Sequence, residues 1–205
     1  MNIKNIFCIG RNYAKHAYEL GNDIPEEQIM FVKPTHSLVY TGEEAVFLPK
    51  DKGEVHHELE IILYISRDVE KGDKVDDVVS YMALGIDLTL RDVQSKLKKE
   101  GRPWLRAKGF KQSAITTPFW AFEGVESCKE ADFTLTRNGE VVQKANIKDM
   151  IFDFQAIIDE CVEWFGLKEG DIIYTGTPEG VGPLKSGDEC VLYWGEEEKG
   201  RITFE

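Results

Sequence analysis

Alternating apolar and polar positions mark short strands along much of this chain. The most informative run is His56-His57-Glu58-Leu59-Glu60-Ile61-Ile62-Leu63-Tyr64-Ile65, which reads as one β-strand. Leu59, Ile61, Leu63 and Ile65 give it one wholly apolar face. The other face carries His56, Glu58 and Glu60 before it turns apolar at Ile62 and Tyr64. Two carboxylates therefore stand where a strand buried on both faces would place core residues. Like charges so placed repel and lose hydration, and a divalent cation would compensate both costs. An edge strand whose acidic end faces water is the alternative.

Elsewhere the pattern predicts a strand over 6–9 ending at Gly10, then a short helix over 13–20 capped by Asn12 and stopped by Gly21-Asn22. Met30-Phe31-Val32 leads into the turn Lys33-Pro34, and short strands fill 39–65. Residues 75–83 carry mixed signals of a helix entering a strand near 82–88. A helix spans 91–99 and ends at Gly101-Arg102-Pro103. Asn138-Gly139 centres a hairpin over 133–142, and an amphipathic helix over 152–165 is capped by Gly166. Strands over 172–175 and 189–193 close the fold. Many short strands with two or three helices, without βαβ alternation or repeats, indicate an α+β fold on a largely antiparallel or mixed sheet. The Gly10-Arg11-Asn12 turn lacks the further glycines of a dinucleotide fingerprint, so that function is set aside.

Composition narrows the function classes. At 205 residues and 42% hydrophobic, the chain suits a single domain with a substantial core. A net charge of -12 argues against nucleic acid as a partner. One basic run stands out against that background, 96–102 with Arg106, Lys108 and Lys111 beyond it; it reads as a solvated helix face or as a site for a small anion. Cys8, Cys128, Cys161 and Cys190 are widely spaced and suit the core of a protein in a reducing compartment. No apolar run has the length of a membrane span and no signal-peptide pattern follows Met1, so a soluble, cytoplasmic protein without a membrane partner is expected.

Four groups of residues can carry chemistry. Asp87 ends an apolar stretch and adds a third carboxylate to Glu58 and Glu60. Three acids with no neighbouring cysteine suit Mg²⁺ or Mn²⁺. Zinc is the rival because His56 and His57 adjoin Glu58, yet neighbouring strand residues face opposite ways. His16 and Glu19 share one helix face as a general-base pair or a surface ion pair. The loop Thr175-Gly176-Thr177-Pro178-Glu179-Gly180-Val181-Gly182-Pro183 can offer backbone amides and the Thr177 hydroxyl to an oxyanion or carboxylate. Lys108, among small residues, can reach a substrate carboxylate or snorkel to the surface.

These segments, in this order, resemble the fumarylacetoacetate hydrolase family. The likeness runs through Gly10-Arg11-Asn12-Tyr13, His16, Glu19, Phe31-Val32-Lys33-Pro34, His57-Glu58-Leu59-Glu60, Asp87-Leu88-Thr89-Leu90-Arg91-Asp92-Val93-Gln94, Lys108-Gly109-Phe110, Lys148-Asp149-Met150-Ile151-Phe152 and residues 175–183. The short length and Gly101-Arg102-Pro103-Trp104 look most like its acylpyruvase and oxaloacetate decarboxylase branch. The resemblance implies a mixed β-roll over 46–205, preceded by an N-terminal segment, 1–45, that carries a lid helix, all within one catalytic domain that dimerises. It implies Mg²⁺ or Mn²⁺ on Glu58, Glu60 and Asp87, with His16 and Glu19 activating water. Gln94, Lys108 and Thr177 match substrate-contacting positions, and Arg11 and Arg91 supporting ones. The implied activity is hydrolysis of acylpyruvates, decarboxylation of oxaloacetate, or both, through a pyruvate enolate. An isomerase of an unsaturated 2-oxo dicarboxylate (2-hydroxyhepta-2,4-diene-1,7-dioate type) is the enzymatic alternative, and a non-catalytic 2-oxo acid binding protein the other. His36, Lys111 and Thr117-Pro118-Phe119-Trp120 depart from the family pattern; their added bulk and charge point to a small dianionic substrate.

Overall fold

The computed structural model describes residues 1–205 except Leu20, Asn22 and Glu44, together with the Ala17 side chain. The chain opens with β1 (Ile6–Gly10), α1 (Ala14–Glu19), β2 (Ile29–Lys33) and β3 (Leu38–Tyr40). Next come β4 (Val55–His57), β5 (Leu59–Ile65), α2 (Val75–Val78), β6 (Val79–Asp87), β7 (Thr89–Leu90), α3 (Arg91–Lys99) and α4 (Leu105–Lys108). The middle holds β8 (Ala114–Thr116), β9 (Trp120–Ala121), α5 (Val125–Cys128), β10 (Phe133–Arg137), β11 (Glu140–Ala145) and α6 (Phe154–Trp164). The last strands are β12 (Ile172–Tyr174), β13 (Gly182–Pro183), β14 (Glu189–Trp194) and β15 (Glu197–Thr203). The fold is α+β on mixed sheets. The expected end of the first helix, at Leu20 and Asn22, lies outside the described residues.

The largest sheet has the order β2-β1-β12-β5-β6-β8-β3, with β9 beside β6. Only β1/β12 and β3/β8 are parallel pairs in it. A second sheet runs β11-β10-β14-β15, and a third is the short set β13-β4-β7. No helix among the described residues is long and apolar enough to cross a membrane.

Both faces of β5 are buried. Leu59, Ile61, Leu63 and Ile65 join the main core with Leu84, Ile86, Phe133, Leu135 and Leu192. Ile62 faces a smaller cluster with Ile6, Cys8, Ala83, Ile172 and Tyr174. Burying each large aliphatic side chain contributes about 1.5–3 kcal/mol. That apolar setting holds the acids of the same strand away from water.

The expected single strand over 56–65 is two strands broken at Glu58. β4 pairs with β13 and β7, whereas β5 pairs with β12 and β6. The break has a partner of its own: the Leu59 N–H donates to the Gln143 side-chain oxygen at 2.9 Å instead of to a neighbouring strand. Other expectations hold closely. Helix α3 spans 91–99, Asp153 caps α6 through the Ala156 N–H at 2.9 Å, and Asn138 and Gly139 take φ of 53° and 83° at the β10–β11 hairpin. Residue pairs in left-handed conformation suit the twist of such hairpins.

Candidate metal centre and active site

Strand pairing brings the three carboxylates together. Glu60 stands opposite Gly85 in the β5–β6 register, and the Asp87 N–H donates to the Glu58 carbonyl at 2.8 Å. Gly85 is required by its surroundings, since a Cβ there would lie 2.5 Å from the Ile115 carbonyl oxygen. Glu58, Glu60 and Asp87 are all buried, and one oxygen from each lies within 4.8 Å of the others.

Cations surround two of these acids. Lys108 Nζ donates to Glu58 Oε2 at 2.6 Å, Asp87 Oδ2 at 2.7 Å and Thr89 Oγ1 at 2.7 Å. Arg91 Nη2 donates to Glu58 Oε1 at 2.6 Å and Arg91 Nη1 to Gln94 Oε1 at 2.7 Å. Lys33, fully buried, pairs with Asp87 Oδ1 at 2.6 Å and donates to the Ser113 carbonyl at 2.9 Å and to the Lys108 carbonyl. Burial alone would raise the Glu58 pKa, but Lys108, Arg91 and His16 hold it well below the carboxylate range. For Lys108, burial opposes the charge while Asp87 and Glu58 carry its pKa above that of an ordinary lysine.

Glu60 differs. Its hydrogen-bond partner among the described residues is the Gly176 N–H, at 2.8 Å. Burial, then the charges of Asp87 and Glu58, push its carboxyl well above the ordinary range. A buried acid of this kind, completing an oxygen-only donor set, fits a hard divalent cation that would restore its charge. No histidine joins the group. His56 shares the Glu58 side, since both meet Arg91, but its Nε2 lies 3.0 Å from Glu54. His57 is buried against Gln143 at 3.0 Å; burial brings its pKa down to about 4. Mg²⁺ or Mn²⁺ therefore suits the residues better than zinc.

Helix α1 places His16 in the same cavity as Glu58, Arg91, Gln94 and Lys108. His16 Nδ1 faces Glu19 Oε2 at 3.5 Å, and the Gly180 N–H donates to both Glu19 oxygens, at 3.1 and 3.2 Å. Burial lowers the His16 pKa, against the opposing pull of Glu58 and Glu19. The cavity measures about 30 Å³ and is further lined by Gly10, Arg11, Phe31, Lys98 and Trp104. Arg11 adopts a left-handed φ of 57°. Fully buried Asn12 fixes that turn by donating to the Phe152 and Thr175 carbonyls at 2.9 and 2.8 Å and accepting from the Phe152 N–H.

The 175–183 loop acts otherwise than its composition suggests. Its Gly176 and Gly180 amides hold the protein's own Glu60 and Glu19, and Thr177 does not line the cavity. Thr177 Oγ1 instead accepts from Gln143 Nε2 at 2.9 Å, and the same amide donates to the Pro178 carbonyl at 3.0 Å. Gln143 thus joins the break at Glu58 to the loop that holds Glu60 and Glu19. Sequence reasoning passed over both Gln143 and Lys33. A signal for Gln143 was available: a polar residue on the inward face of a hairpin whose register Asn138-Gly139 sets. His36 and Lys111 are exposed, while Phe119 and Trp120 pack on Tyr64 and Trp194. None lines the cavity, so the expectation of a small dianionic substrate loses that support.

The fumarylacetoacetate hydrolase C-terminal family model matches residues 5–203. The chain belongs to the fumarylacetoacetate hydrolase family. This family member is 39% identical to an oxaloacetate tautomerase of Escherichia coli, over 93% of this chain and 88% of that one. It is 36% identical to a mitochondrial oxaloacetate decarboxylase of Dictyostelium discoideum, over 90% and 85% of the two chains. Its fold superimposes with a TM-score of 0.87 on a fumarylpyruvate hydrolase of Pseudomonas aeruginosa solved with Mn²⁺ and pyruvate, at 29% identity over 99% and 91% of the chains.

Proposed function

We propose that this enzyme forms the enol or enolate of small 2-oxo acids, acting on oxaloacetate by tautomerisation or decarboxylation, with Mg²⁺ or Mn²⁺ on Glu58, Glu60 and Asp87. The observation that carries the proposal is the grouping of three buried carboxylates, one of which, Glu58, lines a cavity together with Lys108 and with His16, which is paired with Glu19. When bound, the divalent cation would polarise the 2-keto group and offset the charge that develops as the enolate forms.

The protein's own groups account for the proton movements. His16 has a lowered pKa and is neutral near pH 7, so it can accept a proton. Glu19 faces Nδ1, which leaves Nε2 as the accepting atom, and the Gly180 N–H holds Glu19 in place. In tautomerisation a proton leaves C3 of oxaloacetate and one returns to the keto oxygen. In decarboxylation the C3–C4 bond breaks, CO₂ departs, and its electron pair forms the enolate that is then protonated to pyruvate. Lys108 keeps its charge beside Glu58 and Asp87, so the pocket retains a fixed cation while negative charge builds in the substrate.

Acylpyruvate hydrolysis is a second reading, favoured by the His16–Glu19 pair. Nε2 would take a proton from water, the hydroxide would add to the distal carbonyl, and C–C cleavage would release a carboxylic acid and the same enolate. A turnover panel of oxaloacetate, acetylpyruvate and fumarylpyruvate with Mg²⁺ or Mn²⁺ tests the proposal. Metal-dependent conversion of oxaloacetate, abolished by chelator, is the expected result. Absence of metal-dependent turnover for all three substrates would overturn it, and acetate or fumarate among the products would establish the second reading.

A further inference from the structure

Phe31 of β2 and Trp104, the residue before α4, line two cavities at once. One is the cavity at Glu58 and His16; the other is a groove along β2. The first measures about 30 Å³ and the second about 360 Å³. The groove is apolar. Ile29, Val32, Pro103 and Leu105 line it, and its charged lining residue, Arg102, is paired with Glu100 at 3.2 Å. Val32 and Leu105 are 49% and 51% exposed, so the groove is open to solvent.

We infer that the Phe31–Trp104 ring pair is the partition that limits substrate length, with Trp104 the specificity-determining residue. It confines the enzyme to short 2-oxo acids and closes off an apolar groove that would otherwise take an alkyl tail. This inference rests on the proposed 2-oxo acid activity, because the polar end of the substrate is taken to lie at the carboxylate triad. The partition is held from several sides. The ring centroids lie 6.0 Å apart with the planes tilted by 55°, a favourable aromatic contact. Gly10 lets the indole pack closely, since a Cβ there would come within 3.3 Å of it. The Trp104 carbonyl accepts the Ala107 and Lys108 N–H groups at 2.8 and 3.0 Å, so the turn that sets the indole also presents Lys108. Lys108 Nζ in turn lies 5.1 Å from the centre of the Phe31 ring. A substrate growing away from the triad therefore meets two fixed rings, and the larger space lies beyond them. The Gly101-Arg102-Pro103-Trp104 segment of the sequence thereby acquires a function.

The test titrates pyruvate and 2-oxooctanoate, which share a 2-oxo acid head and differ in alkyl tail, calorimetrically into the Mn²⁺-loaded full-length protein. Wild type should bind pyruvate at least about tenfold more tightly. Each methylene moved from water to an apolar wall is worth roughly fourfold in affinity, so W104A should reverse the order and bind 2-oxooctanoate at least about tenfold more tightly. W104L, which retains apolar packing against Phe31, should give the same reversal and decides the matter if W104A does not fold. W104F keeps a ring in the partition and should keep the wild-type order. The double variant W104A/L105D places a charge in the groove and should cancel the reversal, which separates a tail seated in the groove from one filling the space left by the indole. A wild type that binds 2-oxooctanoate as tightly as pyruvate overturns the partition, as does a W104L that keeps the wild-type order or a double variant that keeps the full reversal. Pyruvate binding by wild type reads the underlying activity separately: its loss would overturn both proposals, whereas tight pyruvate binding with an unchanged order in W104L overturns the partition alone.

Discussion

Replacing Gln143 with leucine removes a buried amide that joins three parts of the site. Its oxygen accepts the Leu59 N–H at 2.9 Å and meets His57 Nδ1 at 3.0 Å, and its nitrogen donates to Thr177 and Pro178. Because the amide oxygen already faces a backbone donor, His57 must present Nδ1–H to it. Gln143→Leu strands two buried donors and a carbonyl, each costing about 1–3 kcal/mol, and leucine's apolar gain returns part of that. The expected net loss is about 4 kcal/mol, a large share of the ~5–15 kcal/mol typical of a folded domain. Calorimetric unfolding should show a midpoint lower by roughly 8–16 °C. Mn²⁺ affinity should also fall by about tenfold, since Glu58 and the loop holding Glu60 lose their common anchor. Gln143→Glu separates the two effects: it keeps acceptors for Leu59 and His57 but sets a carboxylate against the Pro178 carbonyl, so metal affinity should suffer. A stability loss below about 1 kcal/mol in Gln143→Leu, with unchanged Mn²⁺ affinity, would refute the reasoning.

Lys33→Met leaves buried Asp87 without one of its two cations and takes a donor from the Leu88, Lys108 and Ser113 carbonyls, of which Lys108 and Ser113 keep a second one; unfolding by urea should register a loss of about 3–5 kcal/mol, and a neutral result would contradict the role assigned to this lysine. His16→Ala should suppress acetylpyruvate hydrolysis far more than oxaloacetate decarboxylation, which needs no activated water; equal losses in steady-state rates would remove the water-activating role. Stability should fall above pH 9. Burial pushes the thiols of Cys128, Cys161 and Cys190 up to about 12 from an ordinary 9.0, so the unfolded chain loses these protons first. The stabilisation is complete below pH 9 and is lost progressively towards pH 12, by roughly 1.4 kcal/mol per thiol between pH 8 and 10. Urea midpoints compared at those two pH values check this, with Cys161→Ala expected to show the shallower fall.

Local signals exposed elements and acids well, and long-range partners poorly. The hairpin at Asn138-Gly139, helix α3 and the cap of α6 depend on residues close in sequence, and their positions follow the pattern. Alternation likewise put Glu58 and Glu60 on one side and marked Asp87 as a third acid. It gave no warning that Gln143, 84 residues from Leu59, would replace a ladder bond and split the strand at Glu58. Lys33, placed before a proline at a strand end, has the sequence appearance of a solvated residue, yet it is fully enclosed beneath Asp87. Composition marked the 175–183 loop as an anion cradle; only the fold shows that the anions it holds are Glu60 and Glu19.

Glu60 offers the most direct test of the central claim that the triad is a divalent-cation site serving 2-oxo acid chemistry. Its carboxyl is pushed towards the neutral form by burial and by Asp87 and Glu58, so glutamine mimics it and retains an acceptor for the Gly176 N–H. Glu60→Gln should therefore fold with a thermal midpoint close to that of wild type without metal. The deciding measurement is the midpoint of both proteins across a Mn²⁺ titration, paired with oxaloacetate turnover. A ligand that binds only the folded state raises the midpoint, by the equivalent of about 2.7 kcal/mol at a hundred times its Kd. That rise is expected for wild type alone, with turnover lost in Glu60→Gln. Equal Mn²⁺ stabilisation of both proteins, or full turnover by the variant in excess chelator, would contradict it.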